Sequence, residues 1–201
     1  TSRRAEGIIV INPHADDRHK FLPKNYPLVF AGTRPHIEVA SSVALDDEAV
    51  ARTATQHLID LGHQQIGCLT GPMAEECSQD RYAGYTAVLA DAGLPYDDTL
   101  VIEGNWSAQS GYDALMSLAT ANHLPTAFFV QNDQMAVGAL RAARDLGLQL
   151  PDELSIISID DIPLAAYFTP PLTTLKQDFM SIGRKATDLL IETIRQPDAL
   201  H

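Results

Sequence analysis

Short apolar runs alternate with longer amphipathic stretches along most of the chain. The runs are apolar at successive positions, which is typical of parallel strands covered on both faces. Strands are predicted at residues 7–11, 28–31, 65–70, 100–103, 127–131 and 154–159. We therefore expect helices to pack on both sides of the sheet that they form.

The amphipathic stretches between these runs have helical spacing of apolar residues. Asp46 is suited to cap a first helix, and Gly62 is suited to end it. Further helices are predicted over residues 81–93, 107–121, 133–147 and 178–195. Strand–helix alternation with short links predicts an α/β fold with doubly wound parallel sheets.

Two segments interrupt the alternation. Residues 37–45 form a short extended stretch, and residues 162–174 contain three prolines and should be non-helical. Both segments fit crossovers between two lobes. The expected N-terminal lobe comprises residues 1–44 with residues 176–201, and the expected C-terminal lobe comprises residues 45–175.

Composition excludes several classes of protein. With 45% hydrophobic and 20% charged residues, the chain is typical of a folded domain, and no run approaches the roughly 18 apolar residues of a membrane helix. Its formal charge of −12 opposes binding to nucleic-acid phosphates, so contact with DNA requires a separate segment. Cys68 and Cys77 form no disulfide framework, which fits a cytoplasmic protein.

Polar and aromatic side chains follow the predicted strands, where doubly wound sheets bind their ligands. Trp106, Asn132 and Asp160 each follow a strand end, and Arg81 lies beyond the strand at 65–70. Planar Arg, Asn and Asp groups form paired hydrogen bonds with neighbouring hydroxyls, and an indole packs on the apolar face of a sugar ring. These residue types together indicate a sugar site.

Each of these residues also has a structural interpretation. Asn132 or Asp133 can cap the helix that follows, and Trp106 can belong to the core. Arg81 can be a surface residue of its helix, and Asp160-Asp161 can be turn residues. The residues alone leave these alternatives open.

The sequence contains no Gly-rich phosphate loop and no G-x-S-x-G nucleophile elbow. No enzyme, cofactor or metal site is therefore expected. Two other functions stay open: a periplasmic sugar-binding protein of a transport system, and an enzyme in which Asp160-Asp161 holds a metal or accepts a phosphoryl group.

Several motifs in this chain together form a recognisable pattern. They are Leu61-Gly62-His63-Gln64-Gln65-Ile66 with Gly71-Pro72 and Arg81, Glu103 to Gly111, Asn132-Asp133-Gln134-Met135-Ala136 with Gly138, Asp160-Asp161, and Pro170 to Phe179. These motifs resemble the lactose-repressor (LacI/GalR-type) family of transcriptional regulators. The similarity extends from about residue 7 to residue 190, and its motifs are similar to those of the lactose repressor itself.

The resemblance implies a periplasmic-binding-protein-like fold, with two lobes joined by three crossovers and an effector in the cleft. It further implies a homodimeric repressor whose sugar or glycoside effector modulates its binding to operator DNA. The DNA-binding helix-turn-helix head and the opening part of the first lobe would precede Thr1. We therefore expect this chain to lack the head and to contain an incomplete first lobe.

The resemblance also assigns ligand-binding roles. Arg81, Asn132 and Asp160 would bind sugar hydroxyls, and Trp106 would stack on the ring. Gln177 would lie near the ligand at the last crossover, and Phe179 would supply an apolar wall.

Two positions differ from the lactose repressor. Cys77 stands where that repressor has a serine near the sugar, and Gly32 stands where it has an aspartate that recognises the sugar. Gly32 therefore places galactoside specificity in doubt.

Overall fold

The computed structural model describes residues 5–11, 26–32 and 41–195. The chain comprises two compact units, the first of Thr1–Leu45 with Asp178–His201 and the second of Asp46–Gln177. The strands are β1 (Ile8–Ile11), β2 (Leu28–Ala31), β3 (Ser41–Val43), β4 (Ile66–Thr70), β5 (Val101–Glu103), β6 (Ala127–Val130), β7 (Ser155–Asp160) and β8 (Thr173–Lys176). The helices are α1 (Asp47–Asp60), α2 (Glu76–Asp91), α3 (Ala108–Thr120), α4 (Asp133–Asp145) and α5 (Phe179–Arg195).

The first unit contains a parallel sheet in the order β1-β2-β3. Helix α5 packs on this sheet, and Val29, Ala31 and Ala186 form the centre of their shared core. Of the extended stretch expected at residues 37–45, residues 37–40 lie outside the described part. The described part contains β3, which joins the sheet through β2.

The second unit contains a parallel five-stranded sheet in the order β5-β4-β6-β7-β8. Successive residues of β6 contribute to opposite cores. Ala127 and Phe129 pack with α1 and α2, whereas Phe128 and Val130 pack with α3 and α4. Burial on both faces explains why the strand is continuously apolar, and the predicted α/β fold with parallel sheets is confirmed.

The ends of α1 follow local capping chemistry. The Asp46 carboxylate accepts a hydrogen bond from the backbone amide of Ala49 at 3.0 Å, and Gly62 adopts φ +93° after the helix. Helix α2 instead begins at Glu76, five residues before the predicted start at residue 81. The prediction was wrong because the first turn of α2 is polar and Glu75 provides no side-chain cap.

The proline-containing segment at residues 162–174 lies within the second unit, so its assignment as a crossover was wrong. The backbone amide of Leu172 donates to the carbonyl of Ala165 at 2.9 Å and closes this segment on itself. The chain then forms β8, which pairs with β7. Because β8 is short and contains polar threonines, the apolar pattern did not identify it.

Two glycines permit close contact between α3 and α4. A Cβ atom at Gly138 would lie 1.7 Å from the carbonyl oxygen of Ala108, and one at Gly111 would lie 1.9 Å from that of Met135. Only glycine fits both positions without movement of the helix backbone. The contact fixes α4, whose first residues follow the end of β6.

No helix in the described ranges is both long and apolar enough to cross a bilayer.

Candidate functional site

The carboxyl-terminal edge of the second unit's sheet brings the predicted sugar-binding residues together. Trp106 follows β5, Asn132 follows β6, and Asp160 ends β7. The guanidinium carbon of Arg81, on α2, lies 5.8 Å from the centre of the Trp106 ring. The Asn132 side-chain amide donates to the Trp106 carbonyl oxygen at 3.3 Å.

The backbone at this edge adopts conformations that are unusual for residues with side chains. Trp106 has φ 67°, Asp160 has φ 132° and Asp161 has φ 59°. Positive φ costs free energy outside glycine, and such residues concentrate at functional sites when the surrounding structure maintains them. The Asn132 hydrogen bond to the Trp106 carbonyl is one contact that does so.

Arg81 is a buried residue, so its assignment to an exposed helix surface is excluded. Its Nε donates to Asp47 Oδ1 at 2.7 Å, and its Nη2 lies 2.7 Å from the same oxygen. Its Nη1 donates to the backbone carbonyl of Gln131. These contacts fix the orientation of the guanidinium group.

Gln131 connects three parts of the site while being fully buried. Its Oε1 accepts from the backbone amide of Gly71 at 3.0 Å, and its Nε2 donates to the carbonyl of Ser78 at 3.1 Å. Its backbone carbonyl accepts from Arg81. Gln131 therefore joins the ends of β4 and β6 to α2.

Trp106 is partly buried and packs against the edge of the α3–α4 core. Its Nε1 donates to the Glu75 carboxylate at 3.0 Å. The six-membered ring lies so close to Gly71 that a Cβ there would be 2.1 Å from Cζ2. The core interpretation therefore applies to part of the side chain, and its stacking on a sugar stays a prediction.

Asn132 is the N-cap of α4, as one of its two interpretations predicted. Its Oδ1 accepts from the backbone amide of Met135 at 2.8 Å, while its Nδ2 contacts the Trp106 carbonyl. Both ends of the amide are thus engaged by the protein. A contact between Asn132 and a sugar hydroxyl stays a prediction.

Asp133 is fully buried rather than part of the open edge. Its carboxylate accepts from the backbone amide of Ile162 at 2.8 Å, from Thr174 Oγ1 at 2.6 Å and from Ser158 Oγ. Three donors from separate elements satisfy the buried charge. Asp133 therefore ties α4 to β7 and β8.

Asp160 is half-buried, in contrast to the fully buried Asp133. The backbone amide of Asp133 acts on this carboxylate as a hydrogen-bond donor and favours its ionised form. Burial raises the pKa of Asp160 from 3.8 to about 6, while the charge of Arg81 opposes that shift. The carboxylate retains acceptor positions for hydrogen-bond donors from a ligand.

The chain as a whole is similar to known proteins of one family. The model for the periplasmic binding protein-like domain matches residues 55–201. A LacI family transcriptional regulator from Mycobacterium smegmatis is 33% identical, with a TM-score of 0.88 over 96% of this chain and 72% of that chain. The chain belongs to the LacI family of transcriptional regulators.

Further transcriptional regulators are similar to this chain in sequence or structure. A regulatory protein of the family from Chloroflexus aggregans has a TM-score of 0.87 at 32% identity, covering 96% of this chain and 70% of that chain. Among curated relatives, the HTH-type transcriptional repressor PurR of Haemophilus influenzae (strain PittEE) is 33% identical, over 98% of this chain and 59% of its own length. The ribose operon repressor of Escherichia coli (strain K12) is 34% identical, over 97% of this chain and 60% of its own length.

The chain thus spans about three fifths of the length of these curated relatives. They are transcriptional regulators and not enzymes, in agreement with the prediction from the motifs. The predicted family and periplasmic-binding-protein-like fold are confirmed. The nearer similarity to the lactose repressor itself is not confirmed by these relatives.

The remaining predicted ligand residues of this LacI-family chain lie in both units. In the second unit, Cys77 is half-buried, and burial raises its thiol pKa to about 11. Gln177 is buried, and its Nε2 has no hydrogen-bond partner among the described residues. In the first unit, Gly32 has φ +87° and donates from its amide to the Val43 carbonyl, and Phe179 opens α5 with 55% of its surface exposed. Their contacts with a ligand stay predictions.

Sequence reasoning missed the residues that support the site. Asp47, Glu75 and Gln131 hold Arg81, Trp106 and Gly71 in place, yet none stands out in a motif search. In the sequence, Asp47 has the character of an ordinary acidic residue in the first turn of a helix. Gln131 stands at the end of an apolar run that predicts a strand. One feature of the sequence could have identified Gln131: it is a polar residue at the end of a strand that is predicted to be buried on both faces.

The metal interpretation of Asp160-Asp161 has no structural support. Across residues 5–11, 26–32 and 41–195, no group of three His, Cys, Asp or Glu side chains is placed to hold a metal ion. Asp161 faces Lys176, with 3.8 Å between its carboxylate oxygen and Nζ.

Proposed function

We propose that this chain is the effector-binding part of a transcriptional repressor and that its effector is a sugar or glycoside. The observation that carries the proposal is the half-buried carboxylate of Asp160, which interacts with the charge of Arg81, whose guanidinium in turn lies over the Trp106 ring. Operator DNA would be bound by a helix-turn-helix segment outside these residues. The complete protein would act as a cytoplasmic homodimer.

A sugar has hydrogen-bond donors and acceptors that complement those at this edge of the sheet. Its hydroxyls can donate to Asp160 and accept from Arg81. Arg81 has five N–H donors, of which Nε, one Nη2 and one Nη1 hydrogen are engaged by Asp47 and Gln131, leaving two. The indole of Trp106 offers an apolar surface to C–H groups. Asn132, Cys77, Gln177, Phe179 and Gly32 are proposed as further ligand residues.

Regulation would follow from differential binding. An effector changes operator affinity only when it binds the DNA-competent and DNA-incompetent states with unequal affinity. Couplings of this kind typically amount to about 1–3 kcal/mol. Strong, directional hydrogen bonds at Asp160 and Arg81 would provide such a difference if one state holds these groups in better geometry.

A sugar panel tests the effector proposal. Thermal shift followed by titration calorimetry should identify a neutral sugar or glycoside that stabilises the chain, and Asp160→Asn should weaken its binding about ten- to hundredfold. Asp152→Asn is the matched control, because Asp152 is exposed and outside the site. Absence of binding by every sugar at millimolar concentration, or equal binding by Asp160→Asn, would contradict the proposal.

The homodimer proposal draws support from exposed apolar side chains. Leu164 is 62% exposed and Tyr167 is 82% exposed in the segment between β7 and β8. A contiguous exposed apolar patch commonly marks a protein interface, and these two residues are the proposed centre of such a patch. Light scattering should give a dimer mass for the complete protein and a monomer mass for its Tyr167→Asp variant, and a monomeric complete protein would contradict the proposal.

A further inference from the structure

The guanidinium of Arg81 and the carboxylate of Asp47 form a buried ion pair behind the candidate site. Their side chains are 7% and 6% exposed. Asp47 lies in the first turn of α1 and Arg81 on α2, so the pair also links two packed helices. A buried ion pair of this kind holds both groups in one arrangement.

The ion pair lowers the net positive charge that Arg81 presents to a ligand. An isolated buried guanidinium would attract an anion strongly, because Coulomb interactions are large where water is excluded. Here the opposite charge of Asp47 already lies at 2.7 Å. Arg81 therefore presents oriented N–H donors without a comparable excess of positive charge.

A second carboxylate adds to this effect. Asp160 lies close enough to Arg81 for the two charges to interact, and the charges of Asp47 and Asp133 also act on Asp160. Bringing a phosphate or carboxylate of a ligand to the same edge would place another negative charge beside Asp160. A hydroxyl group has no such cost and can donate to Asp160.

We propose that Asp47 is a specificity-determining residue, which acts through Arg81 to make this site select uncharged polyols over anionic ligands such as sugar phosphates. The inference rests on the proposed function, in which a sugar binds at this edge. Asp47 acts as a positioning and neutralising residue behind Arg81, without contact to the ligand. Its role is separable from that of Asp160, which would contact the sugar directly.

Asp47→Asn tests the role of charge. The amide oxygen of Asn can still accept from Nε and Nη2 of Arg81, so the variant removes the negative charge while retaining an acceptor. The probe is inorganic phosphate, measured by calorimetry and by the emission of Trp106, the single tryptophan of the chain. Asp47→Asn should bind phosphate at least about tenfold more tightly than the unmodified chain. Asp152→Asn, which removes one exposed charge, should show no such gain.

A double variant locates the gained binding. Asp47→Asn combined with Arg81→Gln should lose it, because the unneutralised guanidinium is then absent. Equal phosphate affinity for Asp47→Asn and the unmodified chain, or a gain that survives Arg81→Gln, would overturn the proposal.

The unmodified chain provides an independent test if Asp47→Asn fails to fold. Phosphate at about 10 mM should raise its melting temperature no more than chloride at matched ionic strength. Specific stabilisation by phosphate would overturn the proposal. These outcomes use no sugar, so they are distinct from a sugar panel without binding, which would contradict the proposed function alone.

Discussion

The indole ring of Trp106 lies directly against the backbone of Gly71. A Cβ atom at Gly71 would be 2.1 Å from Cζ2 and 2.2 Å from Cη2 of the indole. The end of β4 thereby sets the position of the aromatic ring that follows β5. The ring is also held by the hydrogen bond from Nε1 to Glu75.

Gly71→Ala should displace the indole of Trp106. We expect a shift in tryptophan emission, weakening of neutral-sugar binding by about tenfold, and a loss of about 1–3 kcal/mol of unfolding free energy from the steric conflict. Fluorescence, calorimetry and chemical denaturation measure these effects. Gly183→Ala is the control, since an added Cβ there meets no atom within 4 Å. Unchanged emission in Gly71→Ala would contradict the predicted displacement.

Sugar affinity should depend on pH through Asp160. Arg81 on α2, Asp133 on α4 and Asp47 on α1 are the charged groups that act on it, and burial raises its pKa to about 6. A hydroxyl that donates to Asp160 binds the ionised form, so affinity should fall about tenfold from pH 7 to pH 5, with proton release on binding near pH 6. Calorimetry in buffers of different ionisation enthalpy measures this release. The profile of Asp160→Asn should be flat over this range, and a pH-independent affinity of the unmodified chain would contradict the assignment.

The same raised pKa has the opposite effect on folding. Protonated Asp160 is favoured in the folded chain relative to its ordinary pKa of 3.8. Its contribution to the free energy of unfolding is therefore present below about pH 4 and declines as the pH rises to about 6. Asp160→Asn should become more stable relative to the unmodified chain across that interval. Chemical denaturation at pH 4 and pH 7 checks the sign.

Asn132 substitutions should separate capping from ligand binding. Asn132→Ala removes the acceptor for the Met135 amide and should cost about 1 kcal/mol of unfolding free energy. Asn132→Ser retains an N-cap acceptor and should be nearly as stable as the unmodified chain. If Asn132 binds the sugar, both variants should lose affinity. Normal affinity in Asn132→Ser would leave the residue with a capping role only.

Asp133 should matter for stability more than any exposed carboxylate. Asp133→Ala leaves the amide of Ile162 and the hydroxyls of Ser158 and Thr174 without their acceptor, and should cost about 3 kcal/mol. Asp113→Ala is the matched control, because Asp113 is an exposed helical residue. Thermal and urea unfolding of both variants would measure the contrast. A loss below about 1 kcal/mol in Asp133→Ala would refute its structural role.

Much of the fold was accessible from the sequence because burial leaves a direct pattern. Buried strands such as β4 and β6 require apolar residues at every position, and Gly62 marks the end of α1. The start of α2 and the strand β8 were missed because their residues are polar or alternating. Tertiary pairing with β7, rather than local apolar character, makes β8 a strand.

The candidate site was likewise predicted in part from the sequence and decided in part by the tertiary structure. The sequence identifies four candidate residues near the ends of predicted strands: Arg81, Trp106, Asn132 and Asp160. It also predicts that they lie close together, because parallel strands bring their carboxyl ends to one edge of the sheet. Which of them keep unused hydrogen-bonding groups was decided only by the tertiary structure, since partners such as Asp47 are distant along the chain. Asp47 holds Arg81 in a buried ion pair, the Met135 amide engages Asn132 as a cap, and the half-buried Asp160 carboxylate retains acceptor positions. The sequence determined which chemistry is present, and three-dimensional packing determined which groups remain available to a ligand.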